Sequence, residues 1–190
     1  MTVQNTTVVA ILAGGRAQRM GGIDKCLLPW GQGTLLSNLL SQISLPVVLN
    51  ASPPHTRFDD YDLPIVADRF AQQLGPLAGI EACLGWAQAQ GFERVVTLAG
   101  DMPNLPLDFF EKMRADENTQ ADLLLATARH GWVQPILGNW SVKLRAPLAQ
   151  ALTQGTRKVR AFTDAQAVQR IPFDYDFINI NTQADYESVR

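Results

Sequence analysis

Thr7-Val8-Val9-Ala10-Ile11-Leu12-Ala13-Gly14-Gly15-Arg16-Ala17-Gln18-Arg19-Met20-Gly21-Gly22-Ile23-Asp24-Lys25 is the stretch on which the fold turns. Thr7 to Leu12 is a continuous apolar run rich in β-branched residues, the pattern of a strand buried on both faces. Such strands belong to parallel sheets covered by helices. The run stops at a segment, Leu12 to Lys25, with four glycines, two arginines and a lysine. Glycine lets the backbone turn tightly, and the amides this exposes form an anion nest. With Arg16, Arg19 and Lys25 beside them, a polyphosphate is the expected guest. No Gly-Lys-Ser/Thr follows the glycines, so this is not a Walker A loop. Nor is it Gly-x-Gly-x-x-Gly, which disfavours a dinucleotide.

Outward from this segment, short apolar runs alternate with helical patterns. Thr34 is placed to cap a helix to about Ile43, and Pro46 to Asn50 reads as a strand. Pro64 to Asp68 reads as another. Pro76 opens a helix to about Gln90, closed by Gly91. Arg94 to Ala99 is a strand ending in Gly100-Asp101-Met102-Pro103. Leu107 to Asp116 looks helical, and Asp122 to Ala128 and Ile136 to Trp140 look like strands around a turn at His130-Gly131. Ser141 to Thr153 and Val159 to Ala165 look helical. Val168 to Ile171 is a short strand, and Thr182 caps a last helix, Gln183 to Arg190. The expected fold is α/β, a three-layer Rossmann-like nucleotide-binding fold with a mostly parallel central sheet and helices on both faces. One domain over 1–190 is expected, since no repeat or linker interrupts the chain.

In such sheets ligands bind beyond the carboxyl ends of the strands. Gly14-Gly15, Asn50, Asp68 and Asp101 all fall on that rim. A strand-end Asp suits Mg²⁺, which takes oxygen donors and keeps several waters. Gly75-Pro76-Leu77-Ala78-Gly79 opens a helix whose positive end suits an anion, or serves a close helix–sheet contact. In Asn179-Ile180-Asn181-Thr182 an extended backbone puts both asparagines on one side, where paired amides read polar edges of a heterocycle or cap a turn.

Composition narrows the field. The 190 residues are 46% hydrophobic and 18% charged, which excludes bulk disorder. A chain of this size buries about 70% of its unfolded surface without metal or disulfide staples. Sixteen basic and 18 acidic residues give a net charge of -2, so there is no general basic field for nucleic acid. No apolar run approaches the ~20 residues of a membrane span, and no signal-peptide pattern opens the sequence. Cys26 and Cys83 read as reduced thiols, the expectation for a cytoplasmic protein. His55 and His130 lack metal-ligand spacing, no Gly-x-Ser-x-Gly elbow occurs, and the four tryptophans read as packing residues.

Taken together, Leu-Ala-Gly-Gly-x-x-x-Arg-Met-Gly-Gly-x-Asp-Lys (Leu12 to Lys25), Gly75 to Gly79, Asp101 with Pro103, and Asn179 to Thr182 resemble the signature of the molybdenum cofactor guanylyltransferase (MobA) family. The first motif is shared with the wider nucleotidyltransferase superfamily. The resemblance implies transfer of GMP from MgGTP to molybdenum-bearing molybdopterin, with Mg²⁺, or Mn²⁺ in its place, as cofactor. It implies catalytic roles for Lys25, Asp101 and Arg19, with Asp101 as the metal ligand. Leu12, Ala13, Gly14, Gly15, Lys25, Asn50, Asp68 and Asp101 would contact nucleotide. Arg19, Gly22, Gly79, Asn179 and Asn181 would face the pterin. It further implies a monomer with transient contacts to molybdenum-inserting and apo-molybdoenzyme partners. Gln134-Pro135 stands where a His-Pro is common in the family, which leaves the role of Gln134 open. A cytidylyltransferase for the same pterin, a sugar-phosphate nucleotidyltransferase and a non-catalytic GTP-binding regulator are the competing readings.

Overall fold

The computed structural model describes residues 6–13, 24–70, 74–114 and 121–189. Its centre is a seven-stranded sheet: β1 (Thr7–Leu12), β4 (Val47–Asn50), β5 (Ile65–Val66), β6 (Arg94–Ala99), β7 (Leu123–Thr127), β8 (Val133–Ser141) and β9 (Val168–Pro172). The spatial order is β5-β4-β1-β6-β8-β7-β9. Strand β8 runs antiparallel to both its neighbours, and every other pairing is parallel. A two-stranded ribbon, β2 (Pro29–Trp30) with β3 (Gly33–Thr34), stands apart.

Register explains the rim. Leu12 pairs with Asn50 on one side and with Ala99 on the other, and Asn50 pairs with Val66. Four parallel strands thus end level. The residues that follow them, Ala13, Asp68, Gly100 and Asp101, emerge along one edge.

Each face of the sheet buries its own core. On one side lie α1 (Leu35–Leu40), the 3₁₀ segment His55–Tyr61 and α3 (Phe109–Met113). They cover Val9, Ile11, Leu49, Val96 and Leu98 with Leu36, Phe58, Phe109 and Met113. On the other, α2 (Pro76–Ala89), α4 (Arg145–Thr153) and α5 (Val159–Thr163) cover Val8, Ala10, Val48, Val95 and Trp140. Strands buried on both faces cannot alternate polar and apolar residues, hence the unbroken run at Val8 to Ile11. Helix α2 is buried almost all round, in keeping with a stretch from Leu77 to Leu84 that is apolar but for Glu81. Helix α6 (Gln183–Val189) docks through Tyr186, which joins Leu28, Leu35 and Ile180 in a small third cluster.

The α/β expectation holds, with differences of detail. Thr34 caps α1, its hydroxyl accepting from the Ser37 amide at 3.1 Å while Ser37 Oγ accepts from the Thr34 amide at 2.8 Å. The helix stops at Leu40, not Ile43, because three-residue turns replace it: Ile43 N bonds Leu40 O at 3.1 Å. The expected helix from Leu107 is α3 alone, since Pro106 and Asp108 hold its start in a turn. The expected strand to Asp68 ends at Val66. The β2–β3 ribbon and the 3₁₀ segment at His55 are additions. Three tryptophans pack as expected: Trp140 stacks on Phe162, Trp86 on Phe92, and Trp30 tilts against Tyr186. Trp132 does not; it is 74% exposed in the β7–β8 turn.

Candidate active site

A cleft of about 290 Å³ opens over the level strand ends. Leu12 and Ala13 come from the end of β1, Asn50 from β4, and Gly100 and Asp101 follow β6. Asp68 and the Gly75-Pro76 start of α2 close one side; Lys25, Asn179 and Asn181 close the other. Of the residues expected on the strand-end rim, Asn50, Asp68 and Asp101 line this cleft.

At one end, Lys25 donates to Asn181 Oδ1 at 2.8 Å and lies 3.4 Å from Asp101 Oδ2. Lys25 reaches this point from a 3₁₀ turn, Lys25–Leu27, whose Cys26 is buried. The preceding Asp24 is held back by an ion pair with Arg57. The asparagine segment is fixed by the main chain: Ile180 N bonds Asp101 O at 3.0 Å, and Ile180 is fully buried. Asn179 and Asn181, flanking it, both face the cleft, as their alternation suggests. Asp185 braces the segment by accepting from the amides of Asn181 at 2.9 Å and Thr182 at 2.8 Å. Those bonds hold the Asp185 carboxyl below the usual carboxylate range.

Burial pushes the Asp101 carboxyl above its ordinary value, and the charge and hydrogen bond of Lys25 pull it back in part. The Asp101 loop is clamped from α1. The Asn38 amide donates to Pro103 O, and Gln42 Oε1 accepts from the Leu105 amide at 3.0 Å.

At the other end, Asn50 is nearly buried and donates to both Val66 O at 3.0 Å and Asp68 Oδ1 at 2.9 Å. Its amide hydrogens are therefore already engaged within the protein. A side chain that seemed free to read a ligand acts first to hold Asp68 at the wall. Asn50 fits there because Gly79 has no side chain: a Cβ at position 79 would lie 2.2 Å from Asn50 Oδ1. Gly79 thus packs beneath Asn50, buried in α2, and is not among the residues that line this cleft. The expected contacts of Gly14, Gly15, Arg19 and Gly22 lie outside the described residues.

Cys26 and Ile136 also line the cleft and carry no signal of their own in the sequence. Burial and Asp24 push the Cys26 thiol up to about 12.

Among the described residues no three His, Cys, Asp or Glu side chains gather into a metal cage. Mg²⁺ does not need one, since it is held through one or two carboxylates and the substrate's phosphates. Asp101, with the Asn181 carbonyl near, fits that requirement.

A mostly parallel sheet with a cation and a carboxylate converging beyond its strand ends is an arrangement suited to a nucleotidyltransferase. The comparisons agree. Residues 9–170 match the family model described as the MobA-like NTP transferase domain, and the chain belongs to that family. It is 36% identical to a molybdenum cofactor guanylyltransferase of Bradyrhizobium, over 97% of this chain and 93% of that protein. It is 38% identical to one from Rhodopseudomonas palustris, covering 92% and 86%. In three dimensions it resembles the molybdopterin-guanine dinucleotide biosynthesis protein A of Archaeoglobus fulgidus, with a TM-score of 0.79, 25% identity and 95% of each chain covered.

Proposed function

We propose that this chain transfers GMP from MgGTP to the terminal phosphate of molybdenum-bearing molybdopterin, giving the guanine dinucleotide cofactor and pyrophosphate. The observation that carries this reading is the convergence of Lys25, Asp101 and Asn181 at one end of the cleft, from three remote parts of the chain. The names of the related proteins supply the substrates.

The acceptor phosphate is an anion at neutral pH, so no strong general base is needed. Its oxygen attacks the α-phosphorus, and the bond from that phosphorus to the β-phosphate oxygen breaks. Pyrophosphate leaves with the electron pair. The obstacle is repulsion between anions, so alignment and charge neutralisation carry the catalysis. Lys25 places a fixed positive charge where the phosphates approach; the phosphate contacts expected of Arg19 and of the Gly14 and Gly15 amides fall outside the described residues. Mg²⁺, or Mn²⁺, bound through Asp101 would supply further neutralisation of the phosphate oxygens. Leu12, Ala13, Asn50 and Asp68 form the nucleoside end, and Asn179 and Asn181 face the acceptor.

The same reading takes 1–190 as one domain, a monomer of the cytoplasm that meets molybdenum-inserting and apo-molybdoenzyme proteins transiently. Among the described residues no helix is long and apolar enough to cross a membrane.

The test is nucleotide competition with molybdenum-loaded molybdopterin as acceptor. Release of pyrophosphate from GTP, outcompeting CTP, supports the reading. Preference for CTP makes the chain a cytidylyltransferase, and GTP binding without pyrophosphate release makes it a regulator.

A further inference from the structure

Glu81 sits on α2, facing away from the cleft, and is 1% exposed. One carboxylate oxygen, Oε1, lies 3.5 Å from Arg69 Nη1 and 3.4 Å from Arg145 Nε. The other, Oε2, is buried without a hydrogen-bond partner. Its neighbours Leu77, Ile80 and Leu84 in the same helix are apolar and fully buried.

An acid in that position is a poor stabiliser. A buried ion pair often loses to well-packed apolar residues, and an unpaired buried oxygen adds to the cost. Its use lies in what it holds. Arg145 lies over Gly85, where a Cβ would meet its Nε at 2.9 Å, and it also donates to Gln88 Oε1 at 3.2 Å. Arg145 is thus already anchored by α2. Arg69 is different: its side chain is 57% exposed, and Glu81 is its ion-pair partner among the described residues.

Arg69 directly follows Asp68. Here the chain has left the sheet: β5 ends at Val66, whose carbonyl accepts from the Ala51 amide, just past β4, at 3.1 Å. Asp68 is then held from one side by Asn50 at 2.9 Å. From the other, the Arg69–Glu81 pair ties the next residue to α2. Phe70 packs against the core beneath that helix.

We propose that Glu81 is a positioning residue for the nucleotide: through Arg69 it fixes Asp68 at the wall of the cleft. The proposal rests on the reading that this cleft takes GTP. Arg145 stays paired with Glu81 when Arg69 is lost, so the exposed Arg69 arm adds little to stability. Its other end is buried and rigid, so it still sets direction. Loss of the pair therefore weakens nucleotide binding more than it weakens the fold.

The experiment compares wild type, Glu81→Gln, Arg69→Ala, the double variant and Arg69→Lys. GTP affinity by calorimetry, KM and kcat for GMP transfer, and the thermal midpoint are measured for each. Each of the first two single changes should raise KM and Kd for GTP by roughly 5- to 50-fold, the scale of contacts that act through a neighbour. Neither kcat nor the midpoint should fall. The double variant should be no worse than either single one, and Arg69→Lys should restore part of the affinity. An unchanged KM in Glu81→Gln, additive losses in the double variant, or a loss that tracks a lower midpoint overturns the proposal. A wild type that binds CTP and not GTP overturns the guanylyl reading alone, and the Glu81 comparison is then read with CTP. A wild type that binds no nucleoside triphosphate overturns both.

Discussion

Lys25 and Asn181, 156 residues apart, meet at 2.8 Å across the mouth of the cleft. The contact closes the site between the first strand's loop and the last helix's cap. It also brings the Lys25 ammonium to Asp101, so that cation and carboxylate lie 3.4 Å apart.

Replacing Lys25 by alanine should lower kcat by about 10²–10³, the usual cost of losing a preorganised charge donor. The fold should survive, because a partly exposed ion pair contributes about 1 kcal/mol or less. A thermal melt beside a pyrophosphate-release assay checks both halves. Near-normal turnover in Lys25→Ala removes the proposed chemistry.

Asp101 should behave as a residue that costs stability. Burial raises its carboxyl above the unfolded value, so the folded chain holds that proton more tightly than the unfolded one does. Its ionisation therefore takes stability away as pH rises through the folded value. Asp101→Asn should melt no lower than wild type at pH 7 while losing metal-dependent turnover. The gap should close as the pH is taken below the carboxylate range. A variant markedly less stable at pH 7 contradicts this account.

Asp185 has the opposite sign. Its carboxyl is held low by the amides of Asn181 and Thr182. Its hold on the asparagine segment is present above the ordinary carboxylate range and fades as pH falls through the lowered value. Asp185→Asn should raise KM for the acceptor more than it lowers kcat, with little pH dependence left in that ratio. Steady-state kinetics taken from about pH 7 down to about pH 3, below the ordinary aspartate value of about 4, tests it.

Gly79→Ala should harm both ends of the argument. Its Cβ has no room beside Asn50 Oδ1, so Asn50 must shift and release Asp68. Overpacking of this kind costs about 1–3 kcal/mol. GTP affinity should fall with the melting midpoint; an unaffected affinity would show that Asn50 does not hold Asp68 in place.

Cys26 lines the cleft, yet its thiol is pushed up to about 12 by burial and Asp24; Cys83, within α2, is likewise at about 12. Iodoacetamide near pH 8 should leave both unmodified in the native protein and label both after unfolding, as mass spectrometry would record.

Much of this was legible in the residues. The unbroken run from Thr7 to Leu12 announces a two-sided strand, and the alternation after it announces helices on both faces. Asp101 and Asn50 could be placed on the rim because each follows an apolar run. Local pattern served less well where the deciding partner is distant. Asn50 looks like a free amide until Val66 and Asp68 are seen to take its hydrogens. For Gly79 the sequence leaves an anion-facing helix end and a close packing contact side by side, and Asn50 above it shows the packing contact. Glu81 is invisible as a positioning residue because Arg69 and Arg145 are far from it in sequence.

The sequence by itself determined the class of fold and the rim on which ligands are met, since periodicity and strand-end chemistry are local properties that act wherever the chain goes. Tertiary structure alone decided which polar groups satisfy one another. Register levels Leu12, Asn50, Val66 and Ala99, and packing of Ile180 and Tyr186 carries Asn181 across to Lys25. Those pairings depend on how two faces of a sheet fill with side chains, which no window of neighbouring residues contains.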